Sequence, residues 1–184
     1  MNALETITKE IRACTACDLH ETRSQAVPGS GTSDAQIVFI GEAPGAQEDK
    51  RGLPFVGQAG KLLDQLLEGI GLDRDRVAIL NVIKCRPPDN RPPRKSEIAA
   101  CRHFLERQLD AIQPQLIVTL GRFSLVQFCP DVSITQVHGQ VQRVDGRLIY
   151  PVYHPAAAFH RSVWRQALEK DFGRISEILA SLQK

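Results

Sequence analysis

The sequence contains no apolar run that approaches the ~20 residues that a membrane-spanning helix requires. Residues 1–12 are amphipathic and include Glu5, Lys9 and Glu10, a composition that argues against a signal peptide. Internal repeats, low-complexity tracts and marks of a domain boundary are absent as well. We therefore expect a cytoplasmic protein with no membrane partner, in which residues 1–184 form a single domain.

Two common phosphate-binding motifs, GxxxxGK[ST] and GxGxxG, are also missing. Their absence argues against an α/β hydrolase or nucleotide-binding enzyme with a structural zinc, which is one competing interpretation. The net charge of +2 indicates no partner by itself. Residues 84–95, however, carry five basic side chains and one acidic side chain, which suits phosphate binding as well as a solvated loop.

Short apolar segments that alternate with helical patterns indicate the fold class. They predict a three-layer α/β/α sandwich around a central, mainly parallel four-stranded sheet. Residues 46–57 are expected to form a loop, and one final helix should present Leu168, Phe172 and Leu179 on one face. Residues 141–149 are expected to form a hairpin that turns at Asp145-Gly146.

Polar residues directly follow three of the predicted strands. Ligands of such sheets bind beyond the carboxyl ends of the strands, where these side chains meet. Each residue also has an ordinary structural interpretation, as a cap, a core residue or a loop anchor, but the combination is more specific. The residues concerned, together with an aromatic side chain from the loop, are Glu42, Asn81, His154 and Phe55.

Five cysteines occur in a chain for which disulfides are not expected. Cys14 and Cys17 form a CxxC pair that follows a helical pattern, whereas redox CxxC motifs follow a strand, so metal ligation is favoured. Cys85 and Cys101 would complete a four-thiolate set on folding. Such a set suits zinc or an iron–sulfur cluster, and spacing does not choose between them. Cys129 is interpreted as a small buried hydrophobic residue.

Four motifs, with the cysteines, carry a resemblance to a known family. They are Gly41-Glu-Ala-Pro-Gly45 with Glu48-Asp49, Gly52-Leu-Pro-Phe-Val-Gly57, Asn81-Val-Ile-Lys-Cys-Arg-Pro-Pro88 and His154-Pro-Ala-Ala157. Over nearly its whole length the chain resembles the family 4 uracil-DNA glycosylases, the iron–sulfur branch of that superfamily. The resemblance implies a structural [4Fe–4S] cluster rather than zinc, held by Cys14, Cys17, Cys85 and Cys101.

The resemblance also implies an activity. Such an enzyme is a monofunctional glycosylase that flips uracil out of single- or double-stranded DNA and hydrolyses its N-glycosidic bond. It leaves an abasic site for base excision repair. We expect a monomer, with repair or sliding-clamp proteins as further candidate partners.

Roles for the pocket residues follow from the chemistry of uracil. Phe55 offers a face for stacking, Asn81 pairs with N3–H and O4, and His154 donates to O2 as charge develops on the ring. Glu42 positions water or stabilises the cationic sugar. Three further residues are expected to bind the substrate through the backbone or as a wall against the thymine methyl group: Gly41, Ala43 and Glu48.

The DNA-binding loop is implied to lie at residues 156–161, with Ala157 and Arg161 as contacts. Phe159 and His160 stand where a leucine and an arginine are common in the family. Phe159 retains the apolar character of a wedge between base steps. This departure bears on the preference between duplex and single-stranded DNA.

Phosphate contacts are expected from the basic segment, through Lys84 and Arg86, and from Arg165. One relative in the superfamily binds uracil-DNA covalently through a histidine in a Lys-Arg-Arg-Ile-His insertion. Residues 86–95 contain no histidine, which argues against that behaviour. A module that binds uracil-DNA without cleaving it is the remaining alternative, and the presence of Glu42 and His154 argues against it.

Overall fold

A computed structural model describes residues 2–182 of the chain. Its centre is a five-stranded sheet in the order β2-β1-β3-β5-β4, in which only β4 is antiparallel to its neighbour. The strands are β1 (Ile37–Gly41), β2 (Ala78–Asn81), β3 (Leu116–Leu120), β4 (Gln142–Val144) and β5 (Arg147–Val152). The α/β class and the mainly parallel sheet are confirmed, with five strands instead of the predicted four.

The additional strand is the outer half of the predicted hairpin. Asp145 and Gly146 both have positive φ angles, 48° and 78°, as a tight hairpin turn requires. This turn returns β4 along β5, so that Gln142 pairs with Ile149 and Val144 with Arg147. The hairpin therefore extends the sheet at one edge.

Helices cover both faces of the sheet. The helices in chain order are α1 (Ala3–Ala13), α2 (Leu19–Thr22), α3 (Ala46–Arg51), α4 (Gln58–Glu68), α5 (Lys95–Ile112), α6 (Arg122–Leu125), α7 (Ile134–Val137), α8 (Ser162–Gly173) and α9 (Ile175–Leu182). Val38 and Ile40 pack into a core with α1 and α5, whereas Ile37 and Phe39 pack into a second core with α4 and α8. Alternate strand residues thus point to opposite layers, which confirms the predicted sandwich.

Two helical predictions need correction. Residues 46–57 are not all loop, because α3 begins after Gly45 and its Glu48 carboxylate accepts the Gly45 N–H at 3.1 Å. The final helix is divided into α8 and α9 at Arg174, although Phe172 and Ile175 on either side of the break remain buried in one core.

The other edge of the sheet is covered by an extended segment. Ser30 exchanges two backbone hydrogen bonds with Ile79 of β2, at 3.0 and 2.8 Å. Gly31, with φ of 110°, passes so close that a Cβ atom would lie 2.2 Å from the Val77 carbonyl oxygen. In residues 2–182 no helix is long and apolar enough to cross a membrane.

Candidate active site

A cavity of about 360 Å³ lies beyond the carboxyl ends of the strands. It brings together the three strand-end residues and the loop residue Phe55 that the sequence singled out, with Ala43 and Glu48. Sequence reasoning missed the wall contributed by the segment after β2. That wall consists of Pro87, Asn90 and Arg91.

Asn81 presents an unsatisfied acceptor in this cavity. Its side chain is 2% exposed, and its Oδ1 atom has no hydrogen-bond partner among the described residues. A buried acceptor without a partner destabilises the folded protein by about 1–3 kcal/mol. A ligand whose N–H donates to Asn81 Oδ1 removes this penalty and gains affinity. Gly41 makes room for it, because a Cβ atom at this position would lie 2.5 Å from Asn81 Oδ1 and 2.7 Å from the Phe55 ring.

Phe55 forms one wall of the cavity from a left-handed backbone conformation, with φ of 51°. Arg74 holds it there by donating to the carbonyl oxygens of Pro54, at 3.2 Å, and of Phe55. Gly60 is required beneath it, since a Cβ atom would lie 1.8 Å from the Phe55 oxygen. The ring centroid lies 5.7 Å from that of His154. Arg74 is a site residue that sequence reasoning did not find.

His154 is held as a neutral imidazole. Its Nδ1 accepts the backbone N–H of Ala156 at 3.1 Å, so the neutral ring carries its proton on Nε2. Burial lowers the pKa of His154 to about 4, although the Glu48 carboxylate opposes this shift. The residue therefore enters the cavity as an uncharged donor.

The two carboxylates of the cavity differ in their surroundings. Glu48 accepts three backbone N–H groups, from Gly45 at 3.1 Å and from Val56 and Gly57 at 2.9 Å each, and so ties the turn after β1 to the Phe55 loop. Among the residues that the structure describes, no backbone N–H donates to the Glu42 carboxylate. Burial raises the pKa of Glu42, and the positive charge of Arg122 partly offsets the effect.

Comparison with known sequences decides the family. Residues 28–179 match the uracil DNA glycosylase superfamily. The chain belongs to this superfamily. It is 48% identical to the type-4 uracil-DNA glycosylase of Sulfurisphaera tokodaii, over 97% of this chain and 86% of the relative. The type-4 enzyme of Archaeoglobus fulgidus is 46% identical over 100% and 96% of the two chains, and that of Thermotoga maritima 47% identical over 83% and 81%.

In this superfamily member the segment after His154 is a 3-10 helix, Pro155–Phe159. Ala157 is half-buried, whereas Phe159 is 49% exposed, and His160 and Arg161 are exposed beyond it. The structure therefore leaves Phe159 accessible, and its contact with DNA stays a prediction.

Lys84 is not at the surface, contrary to the prediction that it contacts phosphate. Its side chain is 1% exposed, and its Nζ donates to the backbone oxygen of Asn81 at 2.8 Å. Burial lowers the pKa of Lys84 to about 8, while Cys101 opposes the shift. Arg86 is half-buried and donates to Asn90 Oδ1 at 2.7 Å, which braces the missed wall of the cavity.

Four of the five cysteines line one small cavity, to which Lys84 also contributes. They are Cys14, Cys17, Cys85 and Cys101. Arg23 donates to Cys85 Sγ at 2.9 Å and to the Cys14 oxygen at 2.8 Å. Burial raises the pKa of Cys85, and raises that of Cys101 to about 11. Within residues 2–182, no group of three or more His, Cys, Asp or Glu side chains is arranged to hold a metal ion. Cys129 is buried apart from this cavity, as expected.

Proposed function

We propose that this protein is a monofunctional uracil-DNA glycosylase of base excision repair. It would flip uracil out of DNA, hydrolyse the N-glycosidic bond and leave an abasic site. The observation that carries the proposal is the buried, unpaired Asn81 Oδ1 in a cavity walled by Phe55 and His154. The type-4 uracil-DNA glycosylases with 46–48% identity support the same activity.

Recognition of uracil requires one amide and one ring. Asn81 Oδ1 accepts from uracil N3–H, while the amide N–H₂ donates to O4. Cytosine has an acceptor at N3 and a donor at position 4, so it would leave the buried amide unpaired, a strong source of discrimination. Stacking on Phe55 adds ~1–3 kcal/mol. Glu48, which fixes the turn after β1, would close the wall that rejects the thymine methyl group.

Bond cleavage places negative charge on the uracil ring, shared with O2. His154 Nε2–H donates to this oxygen, and the Ala43 backbone N–H of the Gly41-Glu42 turn assists. A preorganised donor of this kind contributes ~10²–10³ in rate. A neutral imidazole suits the role, since it stabilises the developing anion without giving up its proton.

Glu42 acts on the sugar side of the bond. Its carboxylate stabilises the oxocarbenium-like sugar or positions the attacking water, and both roles need the ionised form. Its place at the end of β1, with a pKa raised by burial, is typical of a functional carboxylate rather than of a structural one.

DNA would be held by the surface around the cavity. Phe159 acts as the wedge that fills the space left by the flipped base. His160 and the half-buried Ala157 contact the DNA beside it. Arg86 and Arg161 contact phosphates. A cytoplasmic location and a monomeric state stay predictions from the sequence.

The four cysteines are suited to a [4Fe–4S] cluster rather than to a single metal ion, because the thiolates of a cluster bind different irons and lie farther apart than those around one ion. They supply four sulfur donors around one cavity, and the Arg23 and Lys84 cations beside them compensate the charge of an anionic thiolate centre. Bound iron would reverse the burial effect on the thiols by keeping them deprotonated. Its role would be structural, since its bonds to the four cysteines would join the end of α1, the segment after β2 and α5. Iron and acid-labile sulfide analysis of purified protein distinguishes it from zinc.

A labelled oligonucleotide with a single uracil tests the function directly. We expect uracil to be released from single strands and from duplexes, so that hot alkali cuts at the uracil position. His154→Ala should lower the single-turnover rate by about 10²–10³-fold, because it removes one preorganised donor. Folding and iron content serve as the control and should match the wild-type protein. Tight binding of the oligonucleotide without release by iron-replete wild type would instead indicate a binding module.

A further inference from the structure

A second cavity lies beside the candidate active site and shares two of its walls. Its volume is about 340 Å³, and both Glu42 and His154 line the two cavities. Its other walls follow β3 and β5 and include Arg122, Phe123 and Trp164. Because β3 neighbours β1 on the side away from β2, the second cavity continues the same edge of the sheet. It therefore adjoins the position of the reacting bond in the proposed function.

Three aromatic side chains contribute to the lining of this second cavity. Phe123, Tyr153 and Trp164 are half-buried and line it together with Ile134. The Tyr153 and Trp164 rings are stacked, with centroids 6.0 Å apart. Flat apolar faces of this kind stack on nucleobases with little dependence on sequence. The lining thus suits a planar, uncharged ring.

Two cations accompany the aromatic faces. The guanidinium of Arg122 lies 4.5 Å from the Phe123 ring centroid, and that of Arg161 lies 4.8 Å from the Trp164 ring. Both side chains are exposed, and in the described part of the chain neither forms a salt bridge. Aromatic rings for a base, and two guanidinium groups that form no salt bridge among the described residues for a phosphate, together match the chemistry of a nucleotide.

We propose that the second cavity binds the nucleotide next to uracil in the same DNA strand. Its base lies against Phe123 and Trp164, and a phosphate lies near Arg122. The proposal rests on the proposed function, because a flipped uracil in the first cavity holds the strand at the shared His154 wall. The protein then grips two successive nucleotides, and stacking of the second offsets the loss of base stacking in the strand.

Trp164 is the only tryptophan of the chain, so its fluorescence reports on a base bound in the second cavity. The test uses single-stranded oligonucleotides with 2′-fluoro-deoxyuridine, which resists cleavage because fluorine disfavours the cationic sugar. One is intact, and the others carry a tetrahydrofuran abasic residue 5′ or 3′ to the uracil. We expect the intact strand to quench Trp164, and one of the two abasic strands to bind about 10- to 100-fold more weakly with little quenching.

Variants of Trp164 distinguish the loss of one base stack from a general loss of affinity for DNA. Trp164→Ala should bind the intact strand as weakly as the wild-type protein binds the abasic strand that lacks the stacked base. Trp164→Ala should bind that abasic strand with nearly the same affinity as the intact strand, because the stack is already lost. Trp164→Phe keeps an aromatic face and should retain most of the affinity. Val163→Ala is the control, since Val163 is 69% exposed and does not line the cavity. Its affinity should match that of wild type.

Equal affinity and equal quenching for all three oligonucleotides would overturn the proposal. Additive losses of affinity from Trp164→Ala and from removal of the base would overturn it as well. Uracil release from an unmodified oligonucleotide is measured with the same protein preparations. A protein that releases uracil without a neighbour effect refutes the second cavity alone, whereas a protein that releases no uracil refutes the proposed function.

Discussion

At the scale of single residues, burial decides which charge states meet in the candidate active site. His154 is neutral because burial lowers its pKa to about 4 and the Ala156 N–H occupies Nδ1. Burial instead raises the pKa of Glu42, because it disfavours the charged carboxylate. Both shifts favour the uncharged forms, yet the proposed chemistry needs neutral His154 and ionised Glu42. The two groups therefore respond differently to acid.

The pH dependence of the single-turnover rate should separate these two groups. As pH falls, Glu42 takes up a proton above the ordinary range of a glutamate, while His154 is still neutral. We expect the rate to fall on acidification and to be constant above neutrality. Glu42→Gln should lower the plateau by about 10²-fold or more and remove this acid limb.

Circular dichroism at each pH provides the control for folding in that experiment. A rate that declines as pH rises through neutrality would contradict the assignment, because it would require a protonated His154. An unchanged acid limb in Glu42→Gln would assign the limb to another group.

The sequence predicted Asn81 and His154 correctly as residues at strand ends because strand-end position is a local property. It misplaced Lys84 because a basic run looks the same whether a side chain points outward or inward. Burial of Val82 and Ile83 shows that the chain turns into the core after β2, and Lys84 follows it to reach the Asn81 carbonyl. No nearby residue signals that turn.

At the scale of elements, the Phe55 wall depends on groups from three separate segments. Glu48 of α3 accepts the N–H groups of Val56 and Gly57, Gly60 of α4 leaves space beneath, and Arg74 fixes the carbonyl side. A left-handed conformation in a bulky residue costs of order 1–3 kcal/mol and persists only where its surroundings hold it. The loop is therefore preorganised by contacts outside it.

Replacing Arg74 should loosen this wall without disturbing the chemistry. Arg74→Met removes the donors to the Pro54 and Phe55 carbonyl oxygens, so the Phe55 ring becomes less well positioned for stacking. We expect KM for a uracil-containing strand to rise about 10-fold, within the range of a base stack, and kcat to change less. Steady-state kinetics on single-stranded substrate measures both.

Arg76→Met is a matched control, because Arg76 belongs to the same 3-10 turn, Arg74–Arg76, and is exposed. It should leave KM unchanged. If Arg74→Met and Arg76→Met gave the same KM, the contacts to Pro54 and Phe55 would have no part in substrate binding.

Elements held by non-local contacts are the ones that sequence patterns described least well. The helix α3 is only six residues long, and its N-terminus is held by the Glu48 carboxylate, which accepts the Gly45 N–H. So short a helix has no apolar periodicity by which the sequence could reveal it. Arg74 lies 19 residues from its acceptor on Phe55, so neither periodicity nor spacing connects them. The long amphipathic helices and the parallel strands, by contrast, carry their own patterns and were predicted.

At the scale of the whole molecule, charge distribution matters more than net charge. The chain carries a net charge of +2, yet exposed arginines lie around the two cavities, and some of its other arginines are neutralised by carboxylates. Arg147, for example, is paired with Glu106 at 2.9 Å and Arg107 with Glu10. We therefore expect this set of exposed arginines around the cavities, rather than the net charge, to attract DNA.

Salt dependence of DNA binding measures this set directly. The slope of log K against log salt becomes shallower by about 0.7 for each phosphate that the protein ceases to neutralise on a single strand, and by about 0.9 on a duplex. We expect Arg161→Gln to reduce the slope by one such step, because Arg161 is exposed beside Phe159 and forms no salt bridge within residues 2–182. Arg102→Gln, a 60% exposed position on α5 away from both cavities, should leave the slope unchanged. Fluorescence anisotropy over a series of salt concentrations gives both slopes, and equal slopes for the two variants would move the DNA-binding surface away from the segment after His154.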